Sequence, residues 1–285
     1  MAISLISCKT LLSELATDPR AYSIIDAREF DAFDAGHIPG AVSIAWENWC
    51  SEPPNGCERA FRQPGYWGLL ADPIGGRFAR DLSELGLSNS RRVVVYGQGA
   101  DSWGTEGRIA WMLLYLGAGQ VFMLDGGWQN WLVGGGPIAY DRPTTVAPSE
   151  FRINIDGKRR AHLERLAPLC IERQLPLLVD TRSAWEFAGT GPDYHRRNGH
   201  LPNSVLFPFE SLYDQTGCFI SRERYMQLAA PQILSAELLI AYCEVGVRAA
   251  TFALLHEAYT GKTVPLFDGS LVEWASYRSL PVLTT

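Results

Sequence analysis

The chain has 285 residues, of which 47% are hydrophobic and 20% charged, and a formal net charge of −6. That length suffices for one large or two ordinary domains with substantial cores. An acidic balance without any block of basic residues argues against nucleic acid or an anionic membrane surface as the main partner, and leaves small molecules and proteins.

Residues 1–10 lack a charged segment followed by a long apolar run, and no later run approaches the length of a membrane span. The expectation is a cytoplasmic protein with no membrane or nucleic-acid partner. Six cysteines, at positions 8, 50, 57, 170, 218 and 243, include no Cys-x-x-Cys pair, which disfavours a disulfide framework or a zinc site. Cys50 and Cys57 flank a turn-forming Ser-Glu-Pro-Pro-Asn-Gly; a local pair is left open there, with two unrelated thiols the simpler reading.

Taken in order, helical patterns over residues 7–16, 105–116, 222–229 and 248–259 alternate with short apolar runs. This alternation predicts an α/β fold with largely parallel sheets. The runs also repeat. Ile24-Ile25-Asp26-Ala27-Arg28 returns as Leu178-Val179-Asp180-Thr181-Arg182, and Gly36-His37-Ile38-Pro39 returns as Gly199-His200-Leu201-Pro202. Val93-Val94-Val95-Tyr96 returns as Leu238-Leu239-Ile240-Ala241-Tyr242, and the late Asp125-Gly126 as Asp268-Gly269, each followed by a Trp at the same distance. A period of about 150 residues is far beyond a solenoid repeat, so each copy is expected to be a whole domain. The Gly/Pro-rich stretch sets the expected boundaries: a domain over 1–136, a linker over 137–149 and a second domain over 150–285.

The second copy carries the chemistry. An unbroken apolar run ends at Tyr242, a loop Cys243-Glu244-Val245-Gly246-Val247-Arg248 follows, and a helical pattern begins near Arg248. A Cys at a strand end is ordinarily a small buried apolar residue. Here the loop N–H groups and the positive end of the next helix favour thiolate, which makes Cys243 the candidate nucleophile. Tyr96 is followed by Gly97-Gln98-Gly99, so the first copy has no nucleophile at that place.

This loop resembles the active-site loop of the rhodanese family of sulfurtransferases. The Asp-x-Arg, Gly-His-Ile/Leu-Pro and late Asp-Gly segments resemble its other landmarks, over nearly the whole chain. The resemblance implies two tandem rhodanese-like domains, each a mostly parallel sheet flanked by helices, the first without its catalytic Cys. It implies a sulfane sulfur taken from a donor such as thiosulfate or 3-mercaptopyruvate, held as a Cys243 persulfide, and passed to cyanide, a thiol or a protein thiol. The backbone of Glu244, Val245, Gly246, Val247 and Arg248 would stabilise the persulfide, and no cofactor or metal is needed.

Two departures stand out. Thiosulfate-type members place basic residues after the Cys and mercaptopyruvate-type members small neutral ones, whereas this chain has Glu244 then Val245. Where two-domain members place a donor-binding Arg, this chain has Glu186. Arg196 and Arg197 are candidate replacements, Arg197 preferred.

Alternatives stay open. A cysteine phosphatase is disfavoured because the pattern is Cys-x4-Arg, one residue shorter than the phosphate-wrapping Cys-x5-Arg. A binding, regulatory or redox-sensing module is the non-enzymatic reading. Gly97-x-Gly99 lacks the dinucleotide spacing, and Gly99-x4-Gly104-Thr105 lacks the phosphate-loop lysine. The aromatic stretch from Trp46 to Trp67 reads as inter-domain packing or as a wall of the second pocket.

Overall fold

The structure is a computed structural model, which describes residues 2–54, 66–75, 77–141, 149–191 and 197–285. Cys57 and Arg196 lie outside the described residues. The chain divides into two compact units. Unit 1 comprises Met1–Trp46, Asp72–Gly157 and Tyr213–Phe219; unit 2 comprises Glu47–Ala71, Lys158–Leu212 and Ile220–Thr285.

Unit 1 contains strands β1 (Ile3–Ile6), β2 (Ser23–Asp26), β3 (Ala41–Ser43), β4 (Arg92–Tyr96) and β5 (Gln120–Leu124), with helices α1 (Cys8–Thr17), α2 (Phe30–Asp34), α3 (Arg77–Glu84), α4 (Thr105–Leu116) and α5 (Gly127–Val133). Its five-stranded sheet has the order β1-β5-β4-β2-β3, with every pair parallel. In unit 2, strands β6 (Arg160–Ala161), β7 (Leu177–Asp180), β8 (Ser204–Leu206), β9 (Leu239–Tyr242) and β10 (Leu266–Phe267) repeat that order as β6-β10-β9-β7-β8, again all parallel. Its helices are α6 (Leu163–Ile171), α7 (Ala184–Ala188), α8 (Arg222–Leu228), α9 (Pro231–Ser235), α10 (Val247–Thr260) and α11 (Ser270–Ser276).

The central strands explain the sequence pattern. Val93, Val94 and Val95 run without alternation because β4 is buried on both faces, as a parallel strand covered by helices must be. Helices α4 and α10 are buried almost all round, which is why neither reads as a one-faced amphipathic helix. The α10 pattern begins one residue before its expected start, because Gly246, at φ +79, turns the chain into the helix at Val247.

The repeated landmarks are repeated hydrogen-bonding devices. Arg28 pairs with Asp26 through Nε and Nη2 and donates to the Gly36 carbonyl; Arg182 pairs with Asp180 in the same way and donates to the Gly199 carbonyl. Tyr96 accepts from the Ile38 N–H and Tyr242 from the Leu201 N–H. His37 and His200 each stack on a Phe ring and bond a backbone carbonyl through Nδ1, the role expected of a turn side chain. Among the described residues no helix is long and apolar enough to cross a membrane.

Candidate active site

In both sheets the order reverses beside the strand that carries the loop of interest, β4 or β9, so these loops open at the carboxyl edge where α/β folds place ligands. Cys243 follows β9 and is 1% exposed. Its Sγ accepts the Gly246 N–H at 3.2 Å, at the amino end of α10. That donor and the aligned peptide dipoles of a 14-residue helix both favour negative charge on sulfur.

The loop is held from behind by the start of α11. Ser270 Oγ accepts the Cys243 N–H at 3.1 Å and donates to the Phe267 carbonyl at 2.8 Å. The N–H groups of Leu271 and Val272 donate to the carbonyls of Cys243 and Glu244. Ser270 does this at φ +53, a left-handed conformation that costs a residue with a side chain about 1–2 kcal/mol.

A stretch of unit 2 taken from early in the chain also packs against the loop. Gly68 packs directly against the Val245 carbonyl, where a Cβ would collide. Trp67 and Leu69 cluster with Val272 and Val245. Leu70 donates its N–H to Asp268 and accepts from Arg160, which itself pairs with Asp268. The part of the aromatic stretch around Trp67 therefore walls the Cys243 loop.

The charged groups of the loop are all engaged. Arg248 makes a two-pronged ion pair with Glu186, at 2.9 and 2.8 Å, with both side chains buried. Glu186 also accepts the Ser183 N–H and hydroxyl at 2.9 and 2.6 Å, which closes a capping box on α7. Burial pushes the Glu186 carboxyl up, but the Arg248 bonds and charge and the Ser183 donors outweigh it and hold it at about 2. Burial likewise opposes the charge on Arg248, and Glu186, Cys243 and Glu244 more than restore it, so it stays above the usual guanidinium range. Glu244 turns to Arg182, Oε2 to Nη1 at 3.4 Å, where Arg182 is already paired with Asp180.

Arg197 stands elsewhere in unit 2. Its guanidinium donates to the carbonyls of Ala275, Tyr277 and Leu280, near the end of the chain. Sequence reasoning passes over Ser270, Gly68 and Arg182 beside the loop, and leaves Trp67 open as a wall of the second pocket. Among the described residues no group of three or more His, Cys, Asp or Glu could hold a metal ion.

In unit 1 the corresponding loop is filled. The carboxyl of Glu106 reaches the space that a Cβ on Gly97 would need, and it is bonded to the Ser102 hydroxyl at 2.5 Å and the Tyr213 hydroxyl at 2.9 Å.

Fold and site together define a duplicated parallel α/β protein with one cysteine loop set at a helix amino end. Residues 7–133 and 165–277 match the rhodanese-like domain, and the chain belongs to the rhodanese family. It is 28% identical over 288 residues to a putative thiosulfate sulfurtransferase of Saccharopolyspora erythraea, covering 98% of this chain and 95% of that protein. It is 26% identical to the sulfur carrier protein TtuD of Thermus thermophilus, covering 95% of this chain and 93% of that protein. Among solved structures it resembles the 3-mercaptopyruvate sulfotransferase SseA of Escherichia coli in fold, with a TM-score of 0.72, 21% identity and coverage of 93% of this chain and 98% of that one.

Proposed function

We propose that the protein is a sulfurtransferase that carries sulfane sulfur as a persulfide on Cys243. The observation that carries this reading is the Cys243 Sγ seated on the Gly246 N–H at the head of α10.

In the first half-reaction the Cys243 thiolate attacks the outer sulfur of a donor. With thiosulfate the S–S bond breaks and sulfite leaves with its electron pair; with 3-mercaptopyruvate the C–S bond breaks and the carbon takes the thiol proton to give pyruvate. In the second half, cyanide, a thiol or a protein thiol attacks the outer sulfur of the persulfide and Cys243 leaves as thiolate. The backbone of Glu244, Val245, Gly246, Val247 and Arg248 stabilises the negative sulfur without reorganisation, because Ser270 and α11 hold it in place. The Arg248 guanidinium adds positive charge and braces the loop through Glu186. Sulfur passes between thiolates with its bonding pair on the leaving group, so the chemistry calls for no cofactor. A cytoplasmic setting, where thiols stay reduced, suits such a nucleophile.

The test is the intact mass of the reduced protein, and of Cys243→Ala, after incubation with thiosulfate and separately with 3-mercaptopyruvate. A gain of one sulfur atom that requires Cys243 and is removed by cyanide supports the reading. No gain with either donor, nor with a hydropersulfide, counts against it.

A further inference from the structure

Around Cys243 the charge balance runs opposite to what a doubly anionic donor needs. Among the described residues, two guanidiniums lie by the loop, Arg182 and Arg248, against three carboxylates, Asp180, Glu186 and Glu244. Each guanidinium is already held by a carboxylate in a two-pronged pair. The neighbouring Arg160 is likewise taken by Asp268. Among the described groups one negative charge is left in excess before the thiolate is counted. A dianion entering here finds Arg248 only by stripping it from Glu186, and the buried carboxylate then loses its counter-charge. Glu186 is not free to swing away, because Ser183 grips it at the start of α7.

From this arrangement we infer that Glu186 and Glu244 are specificity-determining residues that select hydropersulfides of uncharged or cationic thiols as the sulfur donor, against anionic donors. The inference rests on the sulfur-transfer reading of Cys243. The step balances without a further reagent. The Cys243 thiolate attacks the outer sulfur of R–S–SH, the donor's S–S bond breaks, RS⁻ leaves with the electron pair, and Cys243–S–SH keeps the proton. A small thiol or a protein cysteine could present the same group.

The experiment measures single-turnover sulfur loading of Cys243 by mass, with thiosulfate, glutathione hydropersulfide, cysteamine hydropersulfide and a lysine-flanked peptide hydropersulfide. Donors differ in intrinsic reactivity, so the readouts are the salt dependence of each rate and the change in donor ratio between variants. In the unaltered protein, inert salt is expected to accelerate loading by thiosulfate and slow loading by cysteamine hydropersulfide, as screening of repulsion and attraction requires. Glu186→Gln is expected to raise the thiosulfate rate relative to the cysteamine rate about tenfold, with Glu244→Gln moving it the same way. If Glu186→Gln fails to fold, the salt slopes and Glu244→Gln decide. The peptide arm separates a protein source from a small thiol, and loading by either supports the inference. Thiosulfate loading that salt slows, or a donor ratio unmoved in both variants, overturns it. No loading by any donor overturns the sulfur-transfer reading itself, and this inference with it.

Discussion

Glu106 and Arg248 are the same position of the repeated fold, the second residue of the helix after the fourth strand, one an acid and the other a base. Both helices are entered through a left-handed glycine, Gly104 or Gly246. In unit 2 the cation closes the loop that begins at Cys243 and pairs with Glu186. In unit 1 burial pushes the Glu106 carboxyl up, and its bonds to Ser102 and Tyr213 pull the other way without cancelling that shift. That carboxyl takes the space a side chain at Gly97 would need. Arg248→Gln should therefore lose about 3–5 kcal/mol of stability, since it strands a buried carboxylate. The double variant Arg248→Gln/Glu186→Gln should recover most of that in urea melts. Sulfur loading should stay depressed about a hundredfold in both, because neither restores the cation.

Ser270 offers two effects that substitution can separate. Ser270→Ala keeps the left-handed strain and removes the acceptor for the Cys243 N–H; Ser270→Gly removes both. Urea midpoints should place the Gly variant above the Ala variant by about 1 kcal/mol. Both should load sulfur more slowly than the parent.

At Gly68 the obstacle to a side chain is backbone, the Val245 carbonyl, which no rotamer change can move aside. Gly68→Ala should cost about 1–3 kcal/mol and lower kcat/KM by displacing the loop. Gly157→Ala is the control: a Cβ there meets nothing within 4 Å, and the change should fall within about 0.5 kcal/mol of the parent.

Glu273 sets the alkaline side of the stability profile. Burial first, then the charges of Asp268 and Glu164, raise its carboxyl to about 8, and Oε2 has no hydrogen-bond partner. A folded-state value above the unfolded one means the folded protein binds the extra proton. Its contribution is full below pH ~4.5 and is lost as pH rises toward 8. Glu273→Gln should flatten this decline, with the gain in urea midpoint growing from pH 5 to pH 8. Glu186 acts with opposite sign. Held at about 2, it supports the fold above pH ~4.5 and loses that support as pH falls toward 2. Glu186→Gln should show little further loss over that acid range.

Local patterns carried the fold into view. Asp26-x-Arg28 and Asp180-x-Arg182 are pairs two residues apart, so their buried hydrogen bonds follow from strand-end geometry alone. The Cys243 loop was legible for the same reason, being bounded by a strand end and a glycine. What escaped was made by long reach. Glu186 and Arg248 stand 62 positions apart, and nothing local says that the acid found in place of a donor-binding Arg answers the loop's own Arg. One signal was present and went unread: Ser183-Ala184-Trp185-Glu186 is a capping box, which fixes the direction of that carboxylate before any partner is known. Arg197, expected as a donor ligand from its place in an insertion, spends hydrogen bonds on carbonyls near the chain end, a segment without pattern of its own.

Each unit is completed by a piece of chain drawn from the other copy of the repeat, Glu47–Ala71 in unit 2 and Tyr213–Phe219 in unit 1. Duplication has thus become irreversible. A chain cut between the two copies would yield a second half missing Trp67, Gly68 and Leu70, and a first half missing the tyrosine that tethers Glu106. The first copy thus supplies a wall to the loop of the second, and a substitution at Gly68 acts on a unit that its place in the repeat would not suggest.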